Sequence, residues 1–248
     1  MFAALSAWWL DMANTFYRCF IEDNRWKYIT RGLGVTIEVT ILSLILGTII
    51  GIIIAAIRTA HDQNRPRWNK SAGDFFLCLA NAFCKVYTTV IRGTPMMIQL
   101  MIMYFVIITS PTANQILVAS LSFGINSGAY VAEIVRGGIM AIDPGQTEAS
   151  RSLGLGYFPT MRFVIIPQAV KAILPSLGNE LITLLKETSI VTVIGLGDLT
   201  KGATIIQGRT FEAFMPLMAA AIIYLVMVML LTWIFEKLER RLRASDRR

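Results

Sequence analysis

Charge is scarce in this chain. Asp, Glu, Lys and Arg make up 16% of its 248 residues, against about a quarter in soluble domains, so an ordinary water-facing globule is excluded. His61 is the only histidine and stands in a basic stretch, where it is expected to be solvated; no Ser-His-Asp set can be assembled from it. The three cysteines, Cys19, Cys78 and Cys84, lack C-x-x-C spacing and are odd in number. That excludes a zinc ribbon and a disulfide framework, and Cys78 and Cys84 are expected to pack in a helix. No G-x-x-x-x-G-K-S/T loop occurs, so nothing here can cradle ATP phosphates. The pairs Gly154-Leu155-Gly156 and Gly195-Leu196-Gly197 follow no strand-like run, which removes a dinucleotide fold. No catalysis, cofactor or metal site is expected of the chain itself.

What it has instead is apolar length. Hydrophobic residues reach 55%. Phe214 to Phe235 carries no charge and is long enough to cross a hydrocarbon core of about 30 Å as a helix. Leu33 to Ile57 is interrupted only by Glu38. Ile116 to Val135 has Glu133 near one end, and Val86 to Ile108 carries Arg92 followed by Pro95. Val170 to Ile194 is the most polar candidate, with Lys171, Glu180, Lys186 and Glu187, yet it is otherwise apolar. The expected fold class is all-α, a polytopic membrane protein of about five transmembrane helices.

Charge sets the expected orientation. Arg58, Arg65, Arg67 and Lys70 lie between the first two spans, in a connection read as Arg58 to Asp74. Arg136, Arg151, Arg162 and Lys171 flank the third and fourth, and the tail holds Lys237, Arg240, Arg241, Arg243, Arg247 and Arg248. The other connections are poor in Lys and Arg. By the positive-inside rule the N-terminus lies outside and the C-terminus in the cytosol. The net charge of +7 is thereby a topology signal, and no nucleic acid is expected as a partner. The N-terminus lacks a basic leader and Asp11 interrupts it, so it reads as no cleavable signal. Residues 1–31, with Trp8, Trp9, Phe16, Tyr17 and Phe20, read as a segment in the outer interface; 32–248 reads as the membrane domain.

One polar hairpin, about 143–167, carries its own helix signals. Asp143 suits an N-cap, Pro144 the first helical position, Gln146 the partner place of a capping box, and Gly154 a left-handed stop. Glu148, Arg151 and Ser152 can offer polar contacts there, and Leu153, Leu155, Tyr157 and Phe158 offer apolar surface. A short capped helix displayed to the cytosol fits a groove on a soluble partner. The alternative is an amphipathic connector lying on the lipid surface.

Glu148-Ala149-Ser150, then Gly154, then Val164-Ile165-Ile166-Pro167 is similar to the EAA motif of ABC-importer permeases. Arg92-Gly93-Thr94-Pro95, the run Ala129 to Gly138, and Asn179-Glu180-Leu181-Ile182 continuing to Ser189 resemble the polar amino-acid branch of that family. The resemblance runs from about Gly32 to the C-terminus. It departs in Ser150, where alanine is usual, and in the longer connection from Arg58 to Asp74. It implies a permease of a bacterial cell membrane that pairs with itself or a sister chain. Two ABC ATPase subunits would dock at Glu148, Ala149, Ser150, Arg151, Gly154 and Leu155, with ATP and Mg held on those subunits. An extracellular or periplasmic binding protein would deliver the amino acid.

A helical step of 100° puts Ser176, Glu180, Thr183 and Glu187 on one stripe of the fourth span, with Asn179 and Lys186 beside it. Facing lipid, that stripe would be costly, so protein or water must cover it. It either lines the path, where carboxylates and amides meet an ammonium and Lys186 a carboxylate, or forms an internal Glu–Lys network or ties helices together. Pro175 and Gly178 are expected to break this helix just before Glu180. Glu38 contacts a substrate ammonium, pairs with Lys27 or Arg31, or bonds to a neighbouring helix. Glu133 and Arg136 read as a structural or gating pair, and Arg92, Thr94 and Pro95 as a kink or gate. The rival class is an ion-coupled secondary carrier using Glu38, Glu133 and Glu180.

Overall fold

The computed structural model describes residues 11–64, 71–110 and 112–244, all of it helix and connection. Trp8 and Trp9, the basic residues Arg65, Arg67 and Lys70, and Arg247 and Arg248 lie outside the described residues. The long elements are α1 (Trp26–Asn64), α2 (Ala72–Gly93), a short α3 (Met96–Ile102) that continues as a π-helical turn, α4 (Gln115–Met140), the capped α5 (Pro144–Ser152), α6 (Tyr157–Thr160), α7 (Ile166–Glu187), α8 (Leu199–Thr210) and α9 (Phe214–Ala244). Four helices are long and apolar enough to cross a bilayer, and five spans result when α6 to α8, bent by 49°, is taken as one. That agrees with the expected fold class.

The helix α1 holds 39 residues, which at 1.5 Å each is about 58 Å, well beyond a core of about 30 Å. Its last turns therefore project past the bilayer. This corrects the expected connection from Arg58 to Asp74. Arg58 and His61 lie in helix, and α2 begins at Ala72 behind the Ser71 cap, whose hydroxyl accepts from Gly73 N at 3.3 Å. The second span is corrected too. It is not one run from Val86 to Ile108 but α2, a break at Thr94-Pro95, and the short α3. The polar start of α2 holds Asp74, Asn81 and Lys85, which conceal its helical register from a hydropathy reading. Cys78 and Cys84 are buried in it, as expected.

The centre of the molecule is the crossing of α1 with α4. Small residues let the two backbones approach: a Cβ placed on Gly51 would stand 2.5 Å from Val131 Cγ1, and one on Gly128 would stand 2.8 Å from Ile50 Cγ2. In lipid, helices associate through such close packing and not through hydrophobic expulsion. A core cluster of Val39, Leu100, Ala119, Phe123, Leu184 and Val191 joins α1, α3, α4 and α7.

The fourth span breaks later than expected. Pro175 removes one backbone donor, yet α7 continues through it to Glu187. Gly178 serves close approach rather than a break, since an added Cβ would stand 2.6 Å from the Phe235 ring of α9. The chain leaves α-helical geometry only at Thr188–Ile194, where Thr188 and Ser189 donate to the carbonyls of Leu185 and Lys186 at 2.6 and 2.8 Å. Gly195 then turns at φ +81 and Asp198 caps α8. The carboxylate of Asp198 is fully buried. It accepts from Thr200 N, Lys201 N and Thr192 Oγ1 at 3.0, 3.0 and 2.7 Å.

Residues 17–24 do more than lie along an interface. Cys19 and Phe20 are buried against Leu199, Ala203 and Ile206 of α8, while Phe16 and Tyr17 stay exposed. Arg25 locks the turn through Glu22, Asp23 and the Arg18 carbonyl. The helix α1 runs through position 31/32 without interruption.

Candidate functional site

Two regions carry the candidate residues, and α4 connects them. At the basic end of the bundle, Asp143 Oδ1 accepts from Gly145 N at 2.9 Å and Pro144 opens α5. The other end of α5 closes with a Schellman pair. Leu155 N donates to Ser150 O at 3.1 Å and Gly154 N to Arg151 O at 2.9 Å, with Gly154 at φ +80. These caps are as the sequence implied. The capping box is not: the Gln146 side chain turns to Gln168, whose Nε2 donates to it at 3.4 Å.

The caps fix which residues face outward. Glu148, Ala149, Arg151 and Gly154 are exposed, and so are Leu153 at 82% and Phe158 at 73%. Leu155 is exposed along one side. Ser150 is buried and its hydroxyl donates to Gln146 O at 2.7 Å, so it faces its own chain. Of the six residues expected to meet the ATPase, Ser150 is the buried one. Glu148 and Arg151, with Thr147, Gln63 and Tyr157, border a cleft of about 270 Å³ between α5 and the ends of α1 and α4. Two large apolar side chains held in the open beside a carboxylate and a guanidinium make a surface suited to burial by another protein.

Just inside this end, Glu133 is held from two sides. It accepts from Arg58 of α1 and from Arg136 Nη2 at 3.1 Å, and Arg136 also reaches Asp62 at 3.4 Å. The pairing of Glu133 with Arg136 was legible from their spacing; Arg58 was not, because it was placed in a loop.

At mid-depth the polar stripe divides. Ser176, Asn179, Thr183 and Lys186 are exposed on the surface of α7, and Glu187 is half-buried. Glu180 turns inward instead, where Ser127 Oγ of α4 donates to its Oε1 at 2.8 Å. Of the readings open for Glu180, a tie to another helix is present, and the tie is to α4 and not to Lys186. Glu38 is exposed on α1, and neither Lys27 nor Arg31 pairs with it. Arg92 lies over the Tyr130 ring of α4 at 5.2 Å. Thr94 Oγ1 donates to Val90 O at 2.9 Å, and Pro95 starts α3. Sequence reading missed Gln99 and Asn126, which meet here at 2.9 Å. An amide four residues after a proline is a usable signal for such a bond, because it can replace the missing donor.

Comparison with known proteins places this architecture. Residues 79–244 match the family described as binding-protein-dependent transport system inner membrane component. The arginine transport system permease protein ArtQ of Bacillus subtilis is 46% identical over 162 residues, 64% of this chain and 74% of the relative. The glutamine transport system permease protein GlnP of Escherichia coli K12 is 40% identical over 169 residues, 66% of this chain and 77% of the relative. A solved amino acid ABC transporter, described as determined with histidines, superposes with a TM-score of 0.77 at 39% identity. It covers 90% of this chain and 98% of its own. The MetNI methionine transporter, in an inward-facing form, shares the fold at a TM-score of 0.70 and 20% identity, over 88% of this chain and 97% of that one. An ion-coupled carrier is not favoured by these likenesses. The chain belongs to the binding-protein-dependent transport system inner membrane component family, as a permease of the amino-acid ABC-importer kind.

Proposed function

We propose that this permease moves a polar amino acid into the cell by alternating access, driven by ATPase subunits that dock on α5. The observation that carries the proposal is the outward face of α5. A helix this short is unstable alone, yet here both ends are capped, and Leu153 and Phe158 are held in the open beside Glu148 and Arg151. A protein partner that buries these side chains makes that arrangement favourable in water. ATP and Mg are handled on the partner, with Glu148, Ala149, Arg151, Gly154 and Leu155 as contacts and Ser150 as the small inward residue that sets the helix against the chain.

The orientation follows from the same end. Arg58, Arg136, Arg151, Arg162 and Arg240 gather there, so α5 and the C-terminus lie in the cytosol and residues 11–24 outside. The exposed stripe of Ser176, Asn179, Thr183 and Lys186 needs a cover other than lipid. A second permease, this chain or a sister, supplies it, and the path runs between the two. Asn179, Thr183, Glu187 and Glu38 then face the substrate, delivered by an extracellular or periplasmic binding protein. Glu180 contributes its second carboxylate oxygen while Ser127 holds the first.

The test is co-purification of the chain with its ATPase, followed by ATP hydrolysis in liposomes across a panel of amino acids loaded on the binding protein. Stimulation by one or a few polar amino acids is the expected result. Uptake that persists without the ATPase and collapses with an ion gradient would overturn it.

A further inference from the structure

The break in the second span is wired to α4. Pro95 has no N–H, so the Ile91 carbonyl four residues earlier loses its helical partner. Gln99 supplies the replacement. Its Nε2 donates to Ile91 O at 2.7 Å and reaches Thr94 Oγ1 at 2.6 Å and Thr94 O at 3.1 Å. With that nitrogen committed as donor, the amide oxygen must accept, and Asn126 Nδ2 of α4 donates to it at 2.9 Å. Asn126 is 6% exposed and Gln99 is partly buried, so the bond lies at least partly out of water.

One turn along α4 from Asn126, the Tyr130 ring lies under Arg92 at 5.2 Å. Residues four apart share a helix face, and Arg92 and Gln99 stand on opposite sides of Thr94-Pro95. One face of α4 therefore grips the break from both sides. Between the grips, Thr94 is extended at φ −119 and ψ 143, where no helical ladder resists bending. At its other end α4 runs unbroken to Met140 and reaches α5 through only Ala141, Ile142 and Asp143. A helix so embedded moves as a rod, since packed cores shift between discrete arrangements and do not deform continuously.

We infer that Gln99 and Asn126 are positioning residues that make the Thr94-Pro95 break follow the movement of α5, so that docking at the basic end sets the bend of the second span. This rests on the reading of α5 as the element that receives the ATPase. Neither residue is required to touch substrate for this role; both act through the break.

Hydrogen exchange on the assembled complex of permease and its ATPase in nanodiscs, with and without MgATP, tests it. In the wild type, MgATP should change exchange both in residues 143–155 and in residues 91–100. In Asn126→Ala, the change at 143–155 should persist, while the change at 91–100 should shrink about fivefold, the worth of one net hydrogen bond. Gln99→Met removes the same bond and also the bonds to Ile91 and Thr94, so it should lose at least as much, and adding Asn126→Ala to it should change nothing further. Ser120→Ala, a buried change on the face of α4 turned to α1, should keep both responses. A full response at 91–100 in an assembled Asn126→Ala or Gln99→Met complex overturns the inference. No response at 143–155 in the wild type overturns the docking reading and the inference with it.

Discussion

The helices α4 and α9 are both membrane spans, and they are opposites. In the apolar stretch of α4, 67% of residues are buried inside the protein; in that of α9 the share is 11%. Yet the apolar stretch of α9 has the higher mean hydropathy, 2.5 against 1.2, and α4 is the one with Ser120, Ser122, Asn126, Ser127, Gly124 and Gly128. In water the order would be reversed. In a bilayer an isoleucine gains nothing by leaving lipid for protein, so what goes inside is what lipid tolerates badly or what lets backbones touch. Leu225, Met229 and Leu230 of α9 remain more than half exposed because the solvent there is hydrocarbon.

If this contrast is right, substitutions at the α1–α4 crossing should cost most. Gly51→Leu must place a branched side chain where even a Cβ would stand 2.5 Å from Val131. We expect a loss of about 3 kcal/mol, seen as little monodisperse protein in detergent and a collapsed melting point. Recovery at normal yield and Tm would show that the crossing is loosely packed.

Next comes the charged layer below it. Glu133→Ala strands Arg58, whose side chain is 10% exposed; the expected cost is about 3 kcal/mol, because an unpaired charge remains. Replacing Arg58 and Glu133 together with Met and Leu should recover much of it. Thermal stability of the three proteins in one detergent decides the matter.

A smaller effect on stability, with a larger one on function, is expected at α5. Gly154→Val forces a β-branched residue to φ +80, costing about 1 kcal/mol or more. The variant should reach the membrane and keep its fold, but its ATPase should no longer co-purify. Normal coupled uptake would remove the docking role from α5.

Glu180→Gln separates charge from geometry in α7. The amide oxygen can still accept from Ser127, so stability should move by under about 0.5 kcal/mol, while substrate-stimulated ATP hydrolysis should fall. Unchanged transport would reduce Glu180 to an interhelix tie. Least of all is expected of α9, where Leu230→Ala removes a lipid-facing side chain and should shift stability by no more than about 0.5 kcal/mol. A loss above 2 kcal/mol there, the range of a core truncation, would break the comparison outright.

The contrast also explains what could be read in advance. Runs of apolar residues and the placement of Arg and Lys depend on the solvent alone, so the spans of α1, α4 and α9 were plain in the sequence. The caps of α5 were plain as well, because Asp143, Pro144 and Gly154 act within a few residues of themselves. Where the outcome depended on a distant neighbour, the sequence was ambiguous. Gly178 resembles a helix breaker until Phe235 is seen packed on it. Ser150 looks like its exposed neighbours in sequence, and only the packed chain shows that it is buried. Asp198, Gln99 and Asn126 drew no notice, and Arg58 was read only as a loop charge, since each is explained by a partner on another helix or across a turn.

By itself the sequence determined the solvent, most of the helices that cross it, and the short capped helix with its two stops. Those rest on local backbone preferences and on transfer between water and lipid, which act on each segment independently. Only the tertiary structure decided that α4 would be the polar axis, that Glu180 would bind Ser127, and that the Thr94-Pro95 break would be held by Gln99 and Asn126. A polar group in a membrane must find a partner, but which one depends on the helices brought beside it, and that is a property of the packed bundle.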